Sequence, residues 1–424
     1  MLNHKSDPHY RFNFLVNVLD GTFLGSAFGF ASFVTIIPLF VSGMTDSAVL
    51  IGLSSAIHIV GWQLPQLLTV DKVTRLSRFK PMVLWMTIHE RVPFFGLALV
   101  AWFLPSLEVR IALGLTFILL IWQALGGGFT ATAWQTMIGK IMPPESRGTF
   151  FGIQSAMVNL GGGLSAIAAG YLLEWYQSPL NFTLCFILAG LAMGLSFFFL
   201  ALTREALTPP MHVADQRRPF WSHSGAILAR DINFRWFLAA RSMFQLAIMA
   251  AGFYAVYGVR YHHMSEATAG LMTGVFMAAQ IVANPLMGWA GDRWGHRLIM
   301  GVGAYAAAAS ALLAWLAPDI SWFYLVFALA GVANIASWTT PLSLILEFGA
   351  KAEKPAYIGL ANTLVAPSTL LAPIFGGWLA DTAGYPAMFA VSAILGLLTA
   401  LILQLLMHDP QRVLGYEAVG VYHD

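Results

Sequence analysis

The stretch GWAGDRWGHR, Gly288 to Arg297, gathers an aspartate and two arginines in a chain whose charged fraction is only 10%. Of its 424 residues 58% are hydrophobic, and mean hydropathy is +0.71. That is well above the roughly 45–50% apolar content of a soluble domain. Charge is costly in hydrocarbon, so its placement marks the segments that do not cross a bilayer. This stretch reads as the end of one apolar span and the short turn before the next. Gly288 is expected to let neighbouring helices approach closely, and Gly295 to permit the tight turn.

Working outward, a crossing needs about 20 apolar residues. Twelve spans are expected, at 12–41, 46–70, 79–104, 107–140, 147–175, 179–203, 232–260, 265–290, 297–317, 320–348, 354–381 and 385–407. The fold class is therefore an all-α integral membrane protein. Of the 22 Lys and Arg, all but four fall on the side of the termini; Arg110 and Arg260 lie opposite, while Arg91 and Arg241 fall inside spans. The positive-inside rule then places both termini in the cytoplasm of a cell-membrane protein. The polar N-terminus, MLNHKSDPHYRFN, has no apolar core and cleavage site of a removable signal. A single cysteine, Cys185, excludes an intramolecular disulfide and a multi-cysteine metal site. A net charge of +2 makes no case for nucleic acid, and the missing P-loop argues against ATP as direct energy source. Neither a cofactor nor a bound metal is expected.

The longest polar interruption, 204–231, separates a six-helix half at 1–203 from another at 232–424. Internal repetition supports the division. An offset of 207 matches Gly152 with Gly359 and Glu174 with Asp381, and 204 matches Trp134 with Trp338. Asp71 and Asp292 differ by 221.

In Gly288, Asp292, Arg293, Gly295 and Arg297 the opening stretch resembles the cytoplasmic signature of the major facilitator superfamily; Leu298 departs from it at the last basic position. The copy after span two keeps Asp71 and Lys72 but has Leu67 and Thr74 at the glycine positions. The resemblance implies two pseudo-symmetric six-helix bundles, with spans one, four, seven and ten lining a central path, and makes these residues a cytoplasmic latch. Proton-coupled members commonly carry an arginine in span four ahead of Gly-x-Gly; here Gly126 and Gly128 follow Trp122. The bend many exporters carry in span five has its nearest match in span eleven, Ala372 to Gly377.

Asn13, Asn17 and Asp20 form one stripe on span one, with Asp20 about 12 Å into the helix. Adding 221 to Asp20 reaches Arg241 on span seven, with Gln245 a turn beyond. The two are expected to meet as a gate or coupling pair that takes up and releases a proton as it forms and separates; the plainer alternative is a permanent ion pair. His89, Glu90 and Arg91 lie mid-span three and cannot all face one cavity, since consecutive residues point about 100° apart. They read as a bracing network with His58 as partner, or with Glu90 as proton carrier. Thr130, Trp134 and Gln135 on span four, and Asn334, Trp338 and Thr339 on span ten, are expected along the substrate path with Asn17 and Gln245. Two tryptophans suit a planar, sugar-like or cationic solute, or simple packing.

The expected function is a secondary active transporter, not an enzyme, moving a small organic, amphipathic or weakly charged solute by alternating access, with proton-coupled export preferred. Uptake symport, facilitated uniport and a transport-inactive sensor or scaffold are the alternatives. Its partners are the solute, protons and the lipid bilayer, and it acts as a monomer.

Overall fold

The computed structural model describes residues 9–63, 65, 69, 73, 76–143, 146–207, 225, 227–345, 347–349 and 354–408. The described residues are almost wholly helical, and ten helices are long and apolar enough to cross a membrane. The other two expected spans are the first, which is broken, and the second, of which α3 is described.

Span one is α1 (Tyr10–Phe30) and α2 (Ile36–Ser42), and span two contains α3 (Ala48–Gln63). Span three is α4 (Lys80–Arg91) and α5 (Pro93–Phe103), interrupted at Val92 because Pro93 has no N–H to continue the ladder. Spans four to six are α6 (Val109–Ile141), α7 (Arg147–Trp175) and α8 (Leu180–Leu202). Span seven, expected to be continuous, is α9 (Ile232–Ala247), a tighter turn at Ile248–Gly252, and α10 (Tyr254–His262). Spans eight to twelve are α11 (Glu266–Trp294), α12 (His296–Leu316), α13 (Trp322–Ile345), α14 (Lys354–Ala383) and α15 (Tyr385–Leu401).

Two compact units are drawn from these segments, one from Met1–Ala214 with Ala255–Ile281, the other from Asp215–Tyr254 with Val282–Asp424. In the first, α1 packs on α7 and α8, while span three packs on α6 and α8. In the second, α9 packs on α14 and α15, while α12 packs on α13 and α15. The same partner scheme occurs in both: first span with fifth and sixth, third with fourth and sixth. Gly25 sits so close to the backbone of Val158 that any Cβ there would collide with it, which is how α1 and α7 pack so tightly.

Matching clasps close each unit. Asn13 Nδ2 donates to the Arg204 carbonyl at 2.9 Å and Arg204 N–H donates back to Asn13 Oδ1 at 2.8 Å. In the other unit Asn233 Nδ2 donates to the His408 carbonyl at 2.9 Å and His408 N–H returns to Asn233 Oδ1 at 2.7 Å. Each asparagine thus satisfies backbone groups just past the sixth span of its own half. Nearby, the buried Glu205 carboxylate accepts the Phe79 and Lys80 N–H groups that open α4 and the Lys140 ammonium at 2.8 Å. This satisfies a helix N-terminus and neutralises the buried acid together.

The opening stretch is more helical than expected. α11 runs on through Trp294, and Gly295, at φ 94°, makes the whole turn before α12 starts at His296.

Candidate functional site

Span one's polar stripe faces α8. Asn17 Nδ2 donates to Thr203 Oγ1 at 3.1 Å and to the Asn13 carbonyl at 2.8 Å. A turn deeper, Ser196 Oγ donates to Asp20 Oδ1 at 2.6 Å. Arg91 Nη2 lies 3.5 Å from the same carboxylate oxygen and donates to Ser196 Oγ at 2.8 Å.

Arg91 is the hub of this cluster. Its Nε donates to the Met193 carbonyl at 3.2 Å, its Nη1 donates to the Thr87 hydroxyl and carbonyl, and its guanidinium stands 5.9 Å from the Phe197 ring centre. Glu90 Oε2 is 3.8 Å from Arg91 Nη1. Asp20, Glu90 and Arg91 are 4%, 8% and 6% exposed, so two carboxylates share one guanidinium away from water. With both acids ionised the cluster carries one negative charge, and one bound proton neutralises it.

These three groups line a cavity of about 240 Å³ in the first unit, with Trp62, Thr130, Trp134 and Gln154 among its walls. Glycines make room for the acid: a Cβ at Gly127 would stand 2.9 Å from Glu90 Oε1, and one at Gly126 would strike the His89–Glu90 backbone. Span three therefore brings an acid against the glycine stretch that follows the position where the family pattern expects a span-four arginine. Trp122, which occupies that arginine position, donates instead to His89 Nδ1 at 3.2 Å. Glu90 and Arg91 point inward, and His89 turns out toward Trp85 and Trp122.

Several expectations are corrected. Within the first unit Asp20 takes Arg91 and Ser196 as its partners, and within the second Arg241 donates to Asn362 Oδ1 at 3.3 Å from both Nη atoms. His58 does not join the Glu90–Arg91 network. Its Nδ1 is 3.1 Å from Gln123 Oε1, and its ring stacks on Phe33 at 4.6 Å and meets Phe28 edge-on at 4.8 Å. Asn17 is fully buried and is not among the residues lining the cavity, because α8 occupies its face.

Thr130 and Trp134 line the cavity, and Gln135 is exposed. In the second unit Gln245 is buried, Asn334 and Trp338 are half-buried and Thr339 is exposed. Asp71 and Lys72 lie outside the described residues. Among the described residues nothing stands within 4 Å of a Cβ built at Gly288, so it permits no close helix approach; the tight contact is at Gly291, against the His296 ring. His296 Nδ1 bonds Glu347 Oε1 at 2.7 Å and its Nε2 lies 3.7 Å from Asp292. Arg293 lies 5.8 Å from the Trp289 ring centre, and Arg297 donates to the Met407 carbonyl. The motif's bases thus bind a ring and a backbone carbonyl, and its acid faces a histidine.

Sequence reasoning missed Ser196, Glu205 and the asparagine clasps. The clasps carry a signal, since Asn13 and Asn233 differ by 220, one less than the offset of Asp71 and Asp292. Ser196 carries none, because one serine in an apolar helix looks like any other.

The family model of the Major Facilitator Superfamily matches residues 81–262 and 237–418. Multidrug resistance protein 1 of Bacillus subtilis is 22% identical over 151 residues, 35% of this chain and 38% of that protein. The vesicular acetylcholine transporter of Drosophila melanogaster is 27% identical over 147 residues, 34% of this chain and 25% of that protein. The matched stretch therefore spans well under half of either relative. Among solved structures, a D-xylose-proton symporter superposes with a TM-score of 0.70 at 17% identity, covering 95% of this chain and 99% of that one. Nucleoside transporter NupG gives 0.75 at 11% identity, covering 93% of this chain and all of that one. At these identities the likeness is one of fold.

Proposed function

Since the chain belongs to the major facilitator superfamily, we propose that it is a proton-coupled secondary transporter moving a small organic, amphipathic solute by alternating access. The observation that carries the coupling is the charge mismatch in the first unit: Asp20 and Glu90 share Arg91 beside a cavity. A cluster that is neutral only when one proton is bound has a built-in reason to exchange a proton as its surroundings change between wet and dry. Trp62 and Trp134 give the same cavity broad apolar walls beside its charges, which suits an amphipathic solute.

The protein lies in the cell membrane with both termini cytoplasmic and works as a monomer in this reading, and export against inward proton flow is the preferred direction. The Bacillus subtilis relative, named for multidrug resistance, supports that direction. A driving force of about 1.4 kcal/mol per pH unit and about 2.3 kcal/mol per 100 mV is sufficient for concentrative transport.

The experiment is a screen in reconstituted vesicles carrying an internal pH dye, challenged with amphipathic cations, sugars, amino acids and organic acids. A solute that triggers proton movement through the protein, and whose own flux follows an imposed pH gradient, supports coupled transport. Solute flux indifferent to the gradient would make the protein a uniporter. No flux for any class would favour a transport-inactive scaffold.

A further inference from the structure

Among the described residues the second buried guanidinium has no counterion. Arg241 is 6% exposed, and among the described residues its two Nη atoms share a single acceptor, Asn362 Oδ1, at 3.3 Å each, while its Nε has no partner. Among the described residues no carboxylate is within ion-pair distance of it. Arg91 shows what a satisfied buried guanidinium looks like in this protein, with every nitrogen bonded and two acids in reach. A desolvated charge left without a partner is strongly unfavourable, and a neutral amide oxygen does not cancel it.

We propose that Arg241, with Asn362 and Gln245, binds one singly charged oxyanion, a carboxylate or sulfonate, carried on an otherwise apolar organic solute. Three features select that chemistry. The guanidinium fork matches two oxygens of a planar or tetrahedral oxyanion. Its single charge balances a monoanion, whereas a dianion would leave a net negative charge in a unit whose core is built of buried apolar side chains such as Leu238, Phe244 and Val365. Gln245, one helical turn along α9, is 4% exposed and forms no hydrogen bond among the described residues, so its amide remains free to donate to the same group. A hydroxylated neutral solute would leave the charge uncompensated. The assignment names the substrate class for the transporter proposed above and rests on that reading.

The test uses the purified full-length protein, following thermal unfolding by tryptophan fluorescence with hexanoate, hexanesulfonate and hexylammonium as probes. Hexanoate and hexanesulfonate are expected to stabilise the parent saturably, and hexylammonium not to. Arg241→Gln is expected to weaken anion binding at least tenfold. Asn362→Asp places a permanent carboxylate beside the guanidinium, so it is expected to raise the ligand-free midpoint and to abolish the anion effect. Should Arg241→Gln fail to fold, Asn362→Asp decides alone. Equal stabilisation by hexylammonium, no saturable effect of either anion, or undiminished anion binding in Asn362→Asp would overturn the assignment. Solute-triggered proton flux without anion binding would overturn this site alone, and anion binding without proton flux would overturn only the coupling.

Discussion

Asp20, Glu90 and Arg91 form a sum that does not balance, and the consequences follow from which member is removed. Asp20→Asn or Glu90→Gln leaves one acid and one base, a cluster neutral without a proton. Each is expected to fold and to make solute flux insensitive to an imposed pH gradient, measured as labelled solute uptake with and without that gradient. Arg91→Met is different in kind, since it leaves two buried carboxylates with no cation. It is expected to cost about 3–5 kcal/mol, read as a lower denaturation midpoint that recovers on acidification as the acids become neutral. The depth of these residues was legible in the sequence, because charges inside an apolar run stand out. Their partners were not: helical periodicity says which residues share a face, and Asp20 shares its face with Asn13 and Asn17, but it does not say that α8 is the helix opposite. The repeat offset points to Arg241 in the other half and says nothing of Arg91, the guanidinium within Asp20's own unit.

At the scale of the elements, local chemistry wrote some features plainly and tertiary contacts wrote others. Pro93 announces the interruption of span three, and Gly295 announces the turn between α11 and α12. At φ 94° that turn requires glycine. Gly295→Ala is accordingly expected to cost about 1–3 kcal/mol, seen as a reduced thermal midpoint. The tighter turn at Ile248–Gly252 has no proline to announce it. Ser392 on α15 donates to the Ala247 carbonyl where α9 ends, a tertiary contact that sequence period does not reveal. Glu205 is the corresponding case in the first unit. Glu205→Gln removes the negative charge that receives Lys140 and opens α4, and is expected to destabilise by about 3 kcal/mol. Lys140→Met in the same background should then add little, because the pair is already broken; a double-mutant cycle of midpoints measures this.

For the whole molecule, composition and the six-plus-six layout were legible, since an apolar content of 58% and the placement of charge leave few alternatives. The repeated partner scheme and the twin clasps of Asn13 and Asn233 give the repetition physical content that weak sequence identity between halves conceals. If Arg241 carries a monoanion and the Asp20 cluster a proton, exchange of one for the other moves two charges per cycle, about 4.6 kcal/mol per 100 mV. Anion efflux against proton entry is therefore expected to accelerate when a potassium–valinomycin potential is imposed negative on the side the anion leaves, and to slow when it is reversed.

The Asp20–Glu90–Arg91 cluster is proposed to carry the proton. Its most direct test measures two quantities in the same vesicles, for the parent and for Asp20→Asn: solute exchange with no proton gradient, and solute-triggered proton movement. Asp20→Asn is expected to keep the exchange and lose the proton movement. Proton movement in Asp20→Asn at the parent's ratio to solute would contradict it and place the coupling elsewhere.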